Sequence, residues 1–179
     1  MTSLLAFTVV VVLVAAERVV EMVVSRRNAA WSFERGGIET GQRHFLVMVV
    51  LHTGFLAAML VEAWWRRPDV PGLLAWSMLA VVIACQAGRW WCIGVLGRHW
   101  NTRVIVVPGS PPVLRGPYKV MAHPNYLVVV VEGMALPLIH AAWVSAVVFT
   151  VLNAALLTVR LRVETAALRS LPDSRQQVT

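Results

Sequence analysis

Charge is what this sequence has least of. Only 14% of its 179 residues are Asp, Glu, Lys or Arg, against about 25% in soluble domains. Acidic residues are scarcest, nine against sixteen basic ones, which leaves a net charge of +7. With 58% hydrophobic residues and a mean hydropathy of +0.69, an ordinary soluble domain is excluded and an integral membrane protein is expected. The basic excess does not point to nucleic acid: the arginines fall between apolar runs, and no RNA- or DNA-reading motif accompanies them. Cysteine is also scarce. Cys85 and Cys92 would lie about 10.5 Å apart along a helix, beyond disulfide reach. No spacing resembles a zinc site, so no metal is expected. A positive leader is missing as well: Met1-Thr2-Ser3 precedes the first apolar run and the arginines follow it, so the run reads as a retained helix.

Long apolar runs are what the sequence has. Residues 4–24 are about long enough for a ~30 Å hydrocarbon core and carry Glu17, Arg18 and Glu21 toward their end, which puts the last turns in the interface or against protein. Residues 45–65 form a second span, closed by Trp64, Trp65, Arg66 and Arg67 as an interfacial anchor. A Pro-Asp-Val-Pro-Gly turn leads to a third span at 73–94. Trp90 and Trp91 near its end, like Trp100 beyond it, read as belt residues. Residues 127–159 are too long for one crossing and contain Pro137, so two helices meeting near 137–141 are expected, the first of them short.

The expected fold is all-α and membrane-integral: five transmembrane helices, a short helical hairpin at the C-terminus, and a cytoplasmic loop or hairpin between helices 3 and 4. In that loop Arg103-Val-Ile-Val-Val-Pro108 has strand propensity and Gly109-Ser-Pro-Pro112 supplies turn chemistry. Residues 1–171 read as one domain and 172–179 as a disordered tail, with no internal repeat. Arg26, Arg27, Arg35 and Arg43 follow the first span; Arg98, Arg103, Arg115 and Lys119 follow the third; Arg160, Arg162, Arg169 and Arg175 close the chain. The positive-inside rule then sets the N-terminus outside and the C-terminus in the cytoplasm. Residues 115–126 and 160–164 thereby share the cytoplasmic face.

The segment 115–126 reads Arg-Gly-Pro-Tyr-Lys-Val-Met-Ala-His-Pro-Asn-Tyr. Pro124 suits the first turn of the fourth helix. Asn125 and the neighbouring N–H groups would then point out of the helix mouth, a place for a carboxylate or phosphate. A membrane-interface turn with Tyr118 and Tyr126 as belt residues fits the same letters, and chemistry alone does not separate the two. Glu132, two turns into the fourth span, is a functional candidate because an unpaired ionisable group there is costly; it would orient substrate or pair with Arg89. His44 and His52, eight residues apart on roughly one helix face, are candidates for a general base toward a weakly acidic hydroxyl, or interfacial structural histidines.

Arg115-Gly-Pro-Tyr118, then His123-Pro-Asn-Tyr126, a membrane hairpin, and Arg160-x-Arg162-x-Glu164 with Leu168 resemble the isoprenylcysteine carboxyl methyltransferase family. Its members are integral-membrane enzymes that use S-adenosylmethionine. The resemblance covers residues 96–171. In the N-terminal half, Arg35-Gly-Gly-Ile-Glu39, His44 and Leu51-His52 are similar to a small bacterial branch often linked to type III polyketide synthases. The resemblance implies that Gly116, Tyr118, His123, Asn125 and Tyr126 line a cofactor pocket. It implies that Glu164 holds cofactor or orders the reaction centre, and that Arg160, one turn earlier, grips a substrate carboxylate or stabilises a developing oxyanion.

Two positions depart from the family pattern: Ala122 stands where a basic residue often precedes His-Pro, and Lys119 replaces the usual arginine. A membrane reductase group shares the His-Pro-Asn-Tyr start but usually has Gly-Glu where this chain has Val128 and Val129, which argues against nicotinamide chemistry. The implied activity is O-methylation, in the bacterial inner membrane, of a lipophilic acceptor arriving through the bilayer. That acceptor is an alkylpyrone- or alkylresorcinol-type hydroxyl or an isoprenylcysteine-type carboxyl. A phospholipid amine methyltransferase and a non-catalytic packing protein or small transporter are the alternatives. The expected partners are the lipophilic or prenylated substrate and membrane lipids, with no nucleic acid.

Overall fold

The computed structural model describes residues 2–111 and 113–169; the side chains at 2, 43, 44 and 167–169, and the expected tail at 172–179, lie outside the described residues. Five helices carry the fold: α1 Thr2–Phe33, α2 Gln42–Arg66, α3 Gly72–Leu96, α4 Pro124–Leu138 and α5 Trp143–Arg169. Four are long and apolar enough to cross a membrane, and α4 is the shorter apolar one. Its 15 residues reach only about 22 Å, less than a ~30 Å core. Leu13, Leu46, Val61, Trp76 and Val151 are exposed on the outer faces, an apolar surface suited to lipid rather than water.

The first span differs from expectation in where it stops. α1 continues past Val24 through Arg26 and Arg27 for 32 residues in all, about 48 Å, because no glycine or proline interrupts it before Gly36 (φ 74°). The extension pins the chain that follows α3. Asn28 Nδ2 donates to the Trp100 carbonyl at 2.7 Å, and the Thr102 N–H donates to Ser25 Oγ at 3.0 Å.

The loop between α3 and α4 also departs from expectation. It does contain a strand, β2 Val104–Val106, but its partner is not a neighbouring arm of one hairpin. The partner is β1, Ile38–Thr40, from the α1–α2 loop, paired antiparallel with Ile38 opposite Val106 and Thr40 opposite Val104. Gly37 permits this approach: a Cβ there would stand 2.7 Å from the Ser32 carbonyl oxygen and 3.0 Å from Ile105 Cγ2. The two arginine-bearing loops therefore meet at one end of the bundle.

The C-terminal hairpin turns where Pro137 announces it. α4 ends at Leu138, Ala141 takes φ 50°, and α5 starts at Trp143. Away from the loops, Glu62 of α2 closes the first turn of α5, accepting from the Ser145 N–H at 2.8 Å, Ser145 Oγ at 2.7 Å and the Val144 N–H at 3.1 Å. These are amides that a helix start leaves unpaired. The core between α1, α2, α4 and α5 is built on Phe7, Met59, Leu136 and Phe149. Phe149 stacks on Phe55 with ring centroids 3.9 Å apart. Gly133 of α4 makes room for it: a Cβ there would lie 2.4 Å from the Phe149 ring.

Candidate functional site

Pro124 occupies the first turn of α4 behind His123, a position where its fixed φ suits the helix and its missing N–H costs nothing. That start turns Tyr126 toward α5. The Tyr126 hydroxyl donates to Glu164 Oε2 at 2.7 Å and accepts from Arg160 Nε at 2.8 Å. His123 stacks on the Tyr126 ring at 5.1 Å, nearly parallel, with Nδ1 3.8 Å from Glu164 Oε1. The Arg160 guanidinium lies 5.5 Å from the same ring centroid. A phenol held between a guanidinium and a carboxylate is fixed in position and polarised by both.

Two cavities meet at this cluster. The outer one, about 450 Å³, is lined by Tyr118, His123 and Glu164 and roofed by the β2 segment with Arg103, which pairs with Glu39 of β1 at 3.4 Å. Burial and the adjoining Cys92 thiol push the Tyr118 phenol well above its ordinary value, so it remains a neutral hydrogen-bonding group. The inner cavity, about 170 Å³, lies between the helices and is lined by Met48, His52, Leu56, Val129, Asn153 and Leu156. Trp100, Asn101, Asn125, Tyr126 and Arg160 line both and form the wall between them.

The outer cavity suits the cofactor that the motifs imply. Among the described residues, Asn101 Oδ1 and Nδ2 and Asn125 Oδ1 are buried without a hydrogen-bond partner, which is costly unless a ligand supplies one. Aromatic faces at Trp100, Tyr118 and His123 suit a purine. The Glu164 carboxylate suits the ammonium and sulfonium charges of S-adenosylmethionine.

The structure thus brings Tyr118, His123, Asn125, Tyr126, Arg160 and Glu164 together at one cavity. Gly116 stands behind its wall, packed on α3: it has φ 54°, and a Cβ there would lie 2.8 Å from Val95 Cγ2. His52 lines the inner cavity, whereas the His44 side chain lies outside the described residues. Glu132 is buried and accepts from both Arg89 and Arg18, the latter at 3.1 Å. Arg18 also holds Glu21 at 2.7 Å, Arg89 Nε lies 3.5 Å from Glu21, and Glu17 accepts from Gln86 and Trp90. The charges near the end of the first span therefore face protein, paired as intramembrane charges must be.

Sequence reasoning missed Asn101 and Arg103 of the roof, which only the β1–β2 pairing brings over the pocket. It also missed Asn153. That residue had a signal: an amide in the middle of an apolar helix is costly unless it is used.

Comparisons with known proteins find relatives of this chain. The model of the isoprenylcysteine carboxyl methyltransferase (ICMT) family matches residues 78–170, the segment from α3 through Glu164. A Bacillus subtilis (strain 168) protein, described as "Uncharacterized protein YpbQ", is 36% identical over 163 residues, covering 91% of this chain and 96% of that protein. No solved structure matches. With the family segment spanning just over half of the sequence, and apolar helices long enough to span a membrane around it, the chain belongs to the isoprenylcysteine carboxyl methyltransferase family of membrane methyltransferases.

Proposed function

We propose that this protein is an S-adenosylmethionine-dependent O-methyltransferase acting on a lipophilic acceptor: an alkylpyrone- or alkylresorcinol-type hydroxyl or an isoprenylcysteine-type carboxyl. The observation that carries the reading is the shared wall. A cavity under the paired loops and a cavity between the helices touch at Asn125, Tyr126 and Arg160, an arrangement that lets a soluble donor and a lipid-borne acceptor reach one another from opposite sides. When bound, the cofactor supplies an electrophilic methyl group. Orientation and exclusion of water are the protein's contribution. Glu164 and the asparagines hold the donor, Tyr126 fixes its position against the wall, and Arg160 faces the acceptor oxygen. The excess of arginine in the two paired loops supports a cytoplasmic location for this end of the bundle.

Purified protein in lipid nanodiscs, given methyl-labelled S-adenosylmethionine and bacterial lipid extract, tests the reading. Calorimetric binding of the cofactor and transfer of label into the lipid fraction are expected. Alkaline release of the label as methanol marks an ester, and its retention marks an ether. Absence of cofactor binding overturns the reading.

A further inference from the structure

The inner cavity contains a histidine whose tautomer is fixed. His52 Nδ1 lies 2.9 Å from the Met48 carbonyl oxygen, which can only accept, so the proton sits on Nδ1 and Nε2 of the neutral ring carries a lone pair. The ring is held edge-on against Phe149 at 5.1 Å, and Phe149 is in turn held by Phe55. Met48 also touches Arg160, whose Nη1 is 3.0 Å from its sulfur. A single residue therefore separates His52 from the wall where the two cavities meet.

Charged groups from four helices surround it. Arg18 and Glu21 of α1, Arg89 of α3 and Arg160 of α5 line this cavity, Glu132 of α4 pairs with Arg18 and Arg89 behind it, and Glu17 is tied to Gln86. Arg160 is matched by Glu164 through Tyr126. Asn153 adds a second signal: it is 2% exposed, lines the same cavity, and its Oδ1 has no partner among the described residues.

We infer that His52 is the general base of this enzyme, and that the acceptor is an alkyl-tailed phenol or enol rather than a carboxylic acid. This rests on the methyltransferase reading above. A carboxylate is already a nucleophile and needs no base, whereas a phenol or enol gains by losing its proton as it attacks. The acceptor hydroxyl donates to His52 Nε2. As its oxygen bonds to the methyl carbon, the carbon–sulfur bond breaks, its electron pair stays on sulfur, and the proton passes to Nε2. The positive charge thus moves from sulfur to the imidazole, and water takes the proton once product has left. Asn153 Oδ1 accepts from a second hydroxyl on the acceptor ring, and Leu56 and Leu156 line the path of its alkyl chain.

His52→Asn is the informative variant, because the amide nitrogen of asparagine preserves the bond to the Met48 carbonyl while Nε2 is lost. The first measurement needs no cofactor. An alkyl-tailed nitrophenol bound at a pH just below its solution pKa shows the phenolate band in the native protein and the neutral phenol band in the variant. In the second, transfer to 5-pentadecylresorcinol falls about a hundredfold or more in the variant, much of it is regained with a chlorinated, more acidic resorcinol, and cofactor affinity is unchanged. Identical spectra of the bound nitrophenol, or an equal loss with every acceptor regardless of acidity, overturns the inference. Should His52→Asn fail to insert, His52→Gln takes the same measurements. Native protein that binds no S-adenosylmethionine would defeat the methyltransferase reading instead, and the nitrophenol spectra would still decide the role of His52.

Discussion

Tyr126 and Glu164 lie 38 residues apart in the chain, and their side chains share a hydrogen bond of 2.7 Å. That bond closes the helical hairpin at its open end, with Arg160 on the other side of the same hydroxyl. Tyr126→Phe keeps the ring and its stacking on His123 but removes both contacts. A hydrogen bond to a charged group contributes about 1.5–3 kcal/mol, so cofactor affinity should fall roughly tenfold to a hundredfold. Calorimetry on the nanodisc-bound variant measures this. Unchanged affinity would detach Tyr126 from the donor site.

Arg160→Lys tests whether charge alone suffices. The lysine keeps the cation but loses the planar fork that reaches Tyr126 and Met48 together. Turnover should drop at least tenfold while cofactor affinity moves much less, since the proposed reading has Arg160 facing the acceptor across the wall. Parallel measurement of kcat and of cofactor binding separates the two effects.

The α4–α5 contact leaves no room at Gly133. Gly133→Ala forces Phe149 aside, and overpacking of this kind costs about 1–3 kcal/mol. Thermal unfolding in detergent should show a lower midpoint. The displaced ring carries His52 with it, so transfer to the acceptor should fall further than cofactor binding does.

Glu62 supplies the opposite control. Its carboxylate caps α5 at the end remote from both cavities. Glu62→Gln removes the charge facing the helix N-terminus and weakens the cap by about 1–2 kcal/mol. A lower unfolding midpoint is expected with cofactor affinity and turnover per folded molecule intact. A loss of affinity here would show that the two ends of the bundle are coupled.

Glu132 holds two arginines, and removing it strands them. Glu132→Met alone should cost about 3–5 kcal/mol, as loss of one partner of a buried pair does, and reduce the amount of inserted protein. Arg89→Met added to it should restore much of the yield, because Arg18 keeps Glu21 as a partner. Quantifying membrane-integrated protein for the single and double variants checks the pairing.

Much of this was legible in the letters because the hydrophobic effect and the backbone leave a membrane chain few choices. Runs of twenty apolar residues gave the helices, Pro137 gave the turn, and arginine asymmetry set the motif of 115–126 beside Arg160 and Glu164. Both tyrosines of the chain fall inside that motif, a concentration that chance placement in a general aromatic belt does not favour. The β1–β2 pairing was not legible. Each strand has three residues, too few for a local pattern, and the pair forms only because the helices bring two distant loops together. The roof residues Asn101 and Arg103 were lost with it. The end of α1 was misjudged for a simpler reason: hydropathy reports where lipid stops, whereas the helical hydrogen bonding of α1 runs on to Phe33, just before the turn at Gly36.

The two cavities also divide the chain by origin. The outer one is built almost wholly from the segment that the family model matches, with Ser32 its exception. The inner one takes Arg18, Glu21, Met22, Met48, His52 and Leu56 from the part before that segment. On the proposed reading, the donor site thus lies in the segment that the family model matches, and the acceptor cavity draws on the first two helices. An exchange of α1 and α2 between relatives should carry acceptor preference with it and leave the donor site as it was.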